Sequence, residues 1–161
     1  AVFVGPARPA PAGALEARLV QGDLLPAGHV ADLRGLKPLQ RLCADNARVL
    51  PQPLGQRPAL VPTLAARDSA APVAGSLALP PTCPLLANEL HLQWGIGLLD
   101  DCVAGAAEVA FELSLPLLAS MVVASPVSAA RGGQARSFQQ ESLGRQAIRR
   151  LLDEISGAPL P

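Results

Sequence analysis

The stretch Glu89-Leu90-His91-Leu92-Gln93-Trp94-Gly95-Ile96-Gly97-Leu98 places an apolar side chain at every second position. Alternation with a period of two is typical of a strand that buries one face. The pattern returns further along in Val109, Phe111, Leu113 and Leu115, after a polar stretch over residues 100–105 that has room for a reversal. The two stretches therefore predict an antiparallel β-hairpin over about residues 89–115, with Trp94 in its core.

A second signal lies near the end of the sequence, where apolar residues recur at helical spacing. The members of this stripe are Leu143, Ala147, Ile148, Leu151, Leu152 and Ile155. Ser137 and Gln140 have the spacing of a capping box before the stripe, and Gly157 with Pro159 provides a stop after it. We expect an amphipathic helix over about residues 137–155 that packs on the hairpin. The predicted fold class is α+β, an antiparallel sheet packed by this helix.

Proline organises the rest of the chain. Residues 1–13 read as an extended arm that begins with a strand over residues 1–4, and residues 14–161 read as a single domain. Eight prolines between positions 51 and 84 exclude a long helix there and predict extended connections with short edge strands at residues 59–61 and 76–79. A short helix is expected near residues 37–46. Residues 14–20 fit either a strand or a helical turn.

Composition excludes several classes of function. Half of the 161 residues are hydrophobic and 16% are charged, which favours a folded domain over a disordered polymer. Thirteen basic residues balance thirteen acidic ones, so the chain lacks the positive surplus that nucleic-acid binding requires. The uncharged stretch from Leu113 to Ala130 contains two prolines and four serines, so we expect no membrane span.

Cysteine usage and the first residue bear on location. Cys43, Cys83 and Cys102 are too far apart in sequence for the close pairs of zinc sites, and an odd number suits free thiols in a reducing compartment. Because the chain begins with Ala1 rather than Met, we expect a processed product. The resemblance described next favours a plastid protein, and a bacterial cytosol fits the composition equally well.

Several segments of the second half follow one another in a characteristic order. They are Leu90-His91-Leu92-Gln93-Trp94, then Phe111-Glu112-Leu113-Ser114-Leu115-Pro116, then Pro126, Gly133 and the helix over 143–153. This order resembles that of START-like helix-grip proteins. The most similar branch is one from plastids and cyanobacteria whose biochemical role is unknown. The resemblance implies a curved antiparallel sheet closed around a long C-terminal helix. A ligand cavity of that kind would have an apolar lining, with Trp94, Phe111, Leu113, Ile148 and Leu152 as the candidates.

Candidate catalytic residues are few. Neither His29 nor His91 has a companion in sequence that indicates a metal site or a catalytic base. The run Asp100-Asp101-Cys102 falls where the hairpin would turn, and adjacent carboxylates there are usually turn formers. Glu108 and Glu112 would share an exposed strand face. No nucleophile motif, phosphate loop or dinucleotide fingerprint occurs, so the sequence predicts no catalytic residue, no metal and no cofactor.

These observations favour a non-catalytic structural or accessory subunit of a larger assembly. Its partners would be other protein subunits, with a membrane complex among the options. Arg145, Arg149 and Arg150 lie within two helical turns and form the candidate docking surface, although Asp153 and Glu154 would balance them on a solvated face. The alternative function is a helix-grip carrier of a small hydrophobic ligand such as a lipid or pigment.

Overall fold

A computed structural model describes residues 1–10, 19, 21–35, 54–77, 84–124, 145–146, 148–149 and 152–153. Its strands are β1 (Val2–Pro9), β2 (Leu24–Pro26), β3 (His29–Asp32), β4 (Leu60–Pro62), β5 (Val73–Ser76), β6 (Ile96–Asp100) and β7 (Leu118–Val123). Its helices are α1 (Pro84–Trp94) and α2 (Val103–Glu112), and a 3-10 turn covers Leu64–Arg67.

The seven strands form one mixed sheet in the order β2-β7-β1-β6-β5-β3-β4. Strands β3, β5 and β6 are parallel neighbours, and their carboxyl ends meet at one edge. Strand β1 joins the two halves of the sheet, because it pairs in parallel with β7 over most of its length and antiparallel with β6 at Arg8 and Pro9. The result is an α/β architecture and not the antiparallel sheet that the sequence predicted.

The two helices cover opposite faces of this sheet. Helix α1 buries Leu86, Leu90 and Trp94 against Ile96 and Leu99 of β6. Helix α2 buries a second stripe of small side chains against the other face, made of Val103, Ala104, Ala107 and Ala110. The short side chains on that stripe let the helix backbone approach the sheet closely.

The predicted hairpin over 89–115 is wrong. Its first strand was expected over 89–98, but residues up to Trp94 lie in α1 and the strand begins only at Ile96, as β6. The reason is that Leu90 and Trp94 are four residues apart as well as being on alternate positions, so the same side chains satisfy a helix. Gly95 then ends the helix with a φ of 72°. In the second half, Phe111 and Leu113 are 79% and 63% exposed, so the alternation there marks no buried strand face.

The expected packing of a C-terminal helix is also wrong. Residues 145, 146, 148, 149, 152 and 153 are helical. The side chains of Ile148 and Leu152, however, are 48% and 50% exposed, so these two stripe residues are not buried in a core. The predicted cap at Ser137 and Gln140 lies outside the described residues, as do Arg150, the element expected over 37–46, and the element expected over 14–20 apart from Leu19.

Several local expectations are confirmed. The amino-terminal strand exists and extends to Pro9, and β4 is the edge strand expected around residues 59–61. The edge strand expected over 76–79 is not found as predicted, because β5 ends at Ser76 and lies inside the sheet between β6 and β3, while residues 78 and 79 lie outside the described residues. Gly97 is the extra residue of an irregularity between β5 and β6, where Val73 faces Ile96 and Ala74 faces Leu98. The division into an arm and one domain stays a prediction.

Within the described segments, no helix has the length and hydrophobicity needed to cross a membrane.

Candidate active site

Three polar residues stand side by side where the parallel strands end. Asp32 of β3 is in register with Ser76 of β5, and Ser76 is in register with Asp100 of β6. Ser76 and Asp100 are buried, whereas Asp32 is exposed. Ligands of open α/β sheets bind outside the carboxyl ends of the strands, so this row marks the candidate site.

The buried half of the row holds the beginning of α2. The Ser76 hydroxyl donates to Oδ1 of Asp100 over 2.6 Å and accepts from the backbone N–H of Ala104 over 2.8 Å. Oδ2 of Asp100 accepts from the N–H groups of Val103 and Cys102, at 2.6 and 3.1 Å. The two side chains therefore satisfy the amides that a helix leaves open at its first turn.

Burial dominates the electrostatics of Asp100. Loss of hydration raises the pKa of its carboxyl above the ordinary value, while the hydrogen bonds from Ser76, Val103 and Cys102 oppose that rise. Because both carboxyl oxygens are engaged, Asp100 fixes the position of the loop that follows it. That loop consists of Asp101 and Cys102.

The exposed half of the row carries an ion-pair cluster. Nε and Nη2 of Arg34 donate to the two carboxyl oxygens of Asp32 over 3.0 and 2.9 Å, and Nη2 also donates to Glu108 of α2 over 3.1 Å. The hydrogen bond from Arg34 holds the pKa of Asp32 below its ordinary value. Hydrogen bonds to the carboxylate of Asp32 and, to a smaller extent, to that of Glu108 raise the pKa of Arg34. The cluster ties the end of β3 to α2.

Asp101 and Cys102 form a separate pair in the loop between β6 and α2. The thiol of Cys102 donates to Oδ1 of Asp101 over 2.8 Å. This hydrogen bond, together with partial burial, raises the pKa of the thiol to about 11. Both residues are exposed. Of the four described carboxylates at this edge, Asp101 is the one that neither pairs with Arg34 nor caps α2.

The described residues contain no group of three or more histidine, cysteine, aspartate or glutamate side chains arranged to hold a metal ion. What the edge offers chemically is a fixed loop with an exposed carboxylate. Such a group accepts hydrogen bonds from hydroxyls and stabilises a positive charge that develops beside it.

The structure does not bring the predicted cavity lining together. Trp94 is buried in the α1 core, whereas Phe111, Leu113, Ile148 and Leu152 are exposed. Arg145 and Arg149 of the predicted docking surface are exposed as well. His91 lies in α1, and its Nδ1 is 3.2 Å from the carbonyl oxygen of Ile96, so it serves the end of that helix.

Sequence reasoning missed Asp32, Arg34 and Ser76 and dismissed Asp100 and Asp101 as turn residues. A signal was present, because three short apolar runs each end in a small polar residue. They are His29–Asp32, Val73–Ser76 and Ile96–Asp100. Such runs are typical of buried parallel strands, whose polar residues gather at the carboxyl ends.

Comparison with solved structures defines the class of fold as that of the nucleosidases. The native futalosine hydrolase of Helicobacter pylori superposes with a TM-score of 0.64 at 14% identity, over 95% of this chain and 67% of that one. The methylthioadenosine/S-adenosyl homocysteine nucleosidase of Campylobacter jejuni gives 0.59 at 16% identity, over 91% and 65%. The apo 5′-methylthioadenosine nucleosidase of Arabidopsis thaliana gives 0.60 at 14%, over 97% and 62%.

The chain thus spans 62–67% of the length of these three proteins. No protein-family model matches the sequence, and no curated protein matches it. At such low identity the similarity shows a shared fold.

These findings correct the functional predictions. The resemblance to START-like helix-grip proteins is wrong, because the chain has the nucleosidase fold instead. The non-catalytic accessory subunit and the absence of enzymatic activity were inferred from composition, proline content and a lack of catalytic groups, and the carrier of a hydrophobic ligand was inferred from the helix-grip resemblance. The fold shared with two nucleosidases and a hydrolase overturns all three predictions.

Proposed function

We propose that this chain hydrolyses the N-glycosidic bond of a purine nucleoside at the carboxyl ends of β3, β5 and β6. The observation that carries the proposal is the row Asp32, Ser76 and Asp100, which ends at a loop with an accessible carboxylate. The similarity to nucleosidases over more than nine-tenths of the chain supports the same reaction class. The compounds to test first are those named for the similar enzymes, 5′-methylthioadenosine, S-adenosyl homocysteine and futalosine.

We assign the contact with the sugar to Asp101. The other described carboxylates at this edge are committed, Asp100 to the first turn of α2 and Asp32 with Glu108 to Arg34. Asp101 gives one oxygen to the thiol of Cys102 and is exposed. A carboxylate of this kind accepts hydrogen bonds from vicinal ribose hydroxyls, which fixes the sugar next to the loop.

The assignment gives Asp100 and Ser76 the role of positioning residues. They hold the amides of Cys102, Val103 and Ala104, so the loop bearing Asp101 keeps one geometry. Asp100 and Ser76 also occupy the amide groups with which the beginning of a helix would otherwise bind an anion such as phosphate. Because an anionic nucleophile therefore has no binding site at these amides, we infer that the nucleophile at this edge is water.

The chemistry follows from that arrangement. The bond between C1′ and the base nitrogen breaks with its electron pair on the base, and positive charge develops on the ribose ring. A carboxylate held beside the ring stabilises that charge. Water then adds to C1′ and loses a proton, the base gains one, and the products are the free base and the sugar.

The test is release of free adenine from 5′-methylthioadenosine, followed by chromatography. The wild-type chain should release adenine, and Asp101→Asn should slow release by about a hundredfold or more, the scale expected when one charge-stabilising group is lost. Asp68→Asn is the matched control, because Asp68 is an exposed aspartate outside the row whose Oδ1 caps the amide of Ala70, a bond that asparagine also makes.

Equal activity of Asp101→Asn and Asp68→Asn would remove Asp101 from the site. Absence of base release from all three compounds by the folded wild-type chain would overturn the proposed reaction.

A further inference from the structure

Arg8 is a half-buried cation beside the candidate site. It lies near the end of β1 between Ala7 and Pro9, both of which are buried. Among the described residues, no hydrogen bond or ion pair joins its guanidinium to another side chain, whereas Arg34, the other half-buried arginine, forms two ion pairs. Partial removal of a charge from water without a partner is unfavourable, so Arg8 is a candidate for binding a ligand of opposite charge.

The register of the sheet places Arg8 next to the site. Arg8 is directly opposite Leu99 of β6, and the site residues Asp100 and Asp101 follow Leu99 in the chain. Residues directly opposite each other in an antiparallel pair share a face of the sheet, and a long side chain reaches a diagonal neighbour about 7–8 Å away. The guanidinium is therefore within reach of the space beside the loop that bears Asp101.

Arg8 and the cap of α2 lie on opposite faces of the sheet. Leu99 is packed in the α1 core, so Arg8, which shares its face, is on the α1 side. The side chains of Ser76 and Asp100 hold the first turn of α2 on the other side. Within the described segments, Asp101 forms no ion pair with Arg8 either. A positive and a negative group thus flank the same space without neutralising each other.

The ribose positions that remain open decide what Arg8 can bind. With the ribose at Asp101, the hydroxyls on C2′ and C3′ donate to the carboxylate, and C1′ carries the base. C5′ is then the position that carries a further group. We propose that Arg8 binds an anionic substituent on C5′ of the nucleoside, either a carboxylate or a phosphate. The planar guanidinium donates to two oxygens of either group in parallel. This inference rests on the proposed function, because that function places the ribose at Asp101.

The preferred substrates are accordingly anionic nucleosides, and two pairs of compounds isolate the charge. S-adenosyl homocysteine has a carboxylate on its C5′ substituent, whereas 5′-methylthioadenosine has none. Adenosine 5′-monophosphate differs from adenosine by the phosphate alone. Because the anion is remote from the bond that breaks, its contact with Arg8 contributes equally to binding of the ground state and of the transition state. Loss of that contact therefore changes KM and leaves kcat unchanged.

Arg8→Gln tests the contact by removing the charge. The wild-type chain should release adenine with a lower KM from the charged member of each pair. Arg8→Gln should raise that KM about tenfold or more, the scale of a lost charge-assisted hydrogen bond, and leave kcat and both neutral compounds unchanged. Arg8→Lys keeps the charge and should retain part of the preference. Arg57→Gln is the matched control, because Arg57 is an exposed arginine outside the row. Thermal melting shows that each variant is folded.

Isothermal titration calorimetry adds the Kd of the same four compounds and of inorganic phosphate alone. The pair with the larger Arg8-dependent preference identifies the anion as carboxylate or phosphate. Equal KM and Kd for charged and neutral members, or an equal effect of Arg8→Gln on both, overturns the inference and leaves the proposed reaction standing. An Arg8-dependent preference in Kd without release of adenine supports the anion site and overturns the reaction instead.

Inorganic phosphate provides the remaining outcome. Phosphate alone that binds through Arg8 as tightly as adenosine 5′-monophosphate overturns the inference, since the anion is then a separate molecule and not part of the nucleoside.

Discussion

At the scale of single residues, the pair Asp101 and Cys102 shows how one hydrogen bond controls reactivity. The thiolate is the reactive form of cysteine, and a neighbouring carboxylate that accepts from the thiol opposes its formation. An exposed cysteine is therefore protected chemically although it is open to solvent. The low reactivity of Cys102 therefore depends on Asp101, the side chain that we assign to the contact with the sugar.

Asp101→Asn should make Cys102 more reactive towards iodoacetamide. With the charge of Asp101 present, the pKa of the thiol is about 11, and alkylation should rise only as the pH approaches that value. Removing the charge lowers the pKa towards the ordinary range, so the alkylation profile should move to lower pH. The measurement is the rate of alkylation against pH by mass spectrometry, in a background where Cys43 and Cys83 are serine. An unchanged profile would contradict the hydrogen bond.

At the scale of elements, α2 depends on a residue of another strand. Ser76→Ala removes the acceptor for the Ala104 amide and the donor to Asp100, which leaves two buried groups without that partner. We expect the free energy of unfolding to fall by about 1–3 kcal/mol. Ser69→Ala, at an exposed position, should change it by less than about 0.5 kcal/mol. Urea denaturation measures the free energy of unfolding of both variants. An equal loss in Ser76→Ala and Ser69→Ala would contradict the role of Ser76 in capping α2.

Helix α1 allows the competing interpretations of its sequence to be separated. A strand over 89–98 would bury Leu92 and Trp94 together, but the helix buries Trp94 to 3% exposure and leaves Leu92 69% exposed. Trp94→Ala should therefore cost about 3–5 kcal/mol and Leu92→Ala less than about 0.5 kcal/mol. Equal losses in urea denaturation would favour the strand.

The same helix explains what the sequence could predict. Trp94 as a core residue is confirmed, because a large apolar side chain among other apolar residues is buried in either secondary structure. The element type was wrong up to Trp94 because spacings of two and four coincide at Leu90 and Trp94. The deciding features were Pro84, which suits the first turn of a helix, and Leu86, which continues the stripe backwards.

At the scale of the whole molecule, long-range pairing assembles both the sheet and the site. Strand β1 pairs with β6 and β7, whose residues lie about a hundred positions later, and no local pattern specifies those partners. The row of Asp32, Ser76 and Asp100 comes from three separate strands. Hydrophobic patterns mark the polar residue that ends each of these strands, but they do not show which strands lie side by side, so the row itself could not be predicted. Association with other proteins and a plastid location stay predictions.

The central claim is that a nucleoside binds at the carboxyl ends of β3, β5 and β6. Titration of 15N-labelled protein with 5′-methylthioadenosine, followed by amide chemical shifts, tests it without requiring turnover. We predict that the largest changes fall on Ser76 and on residues 100–104. Saturating changes confined to other elements, or no changes at all, would contradict the account.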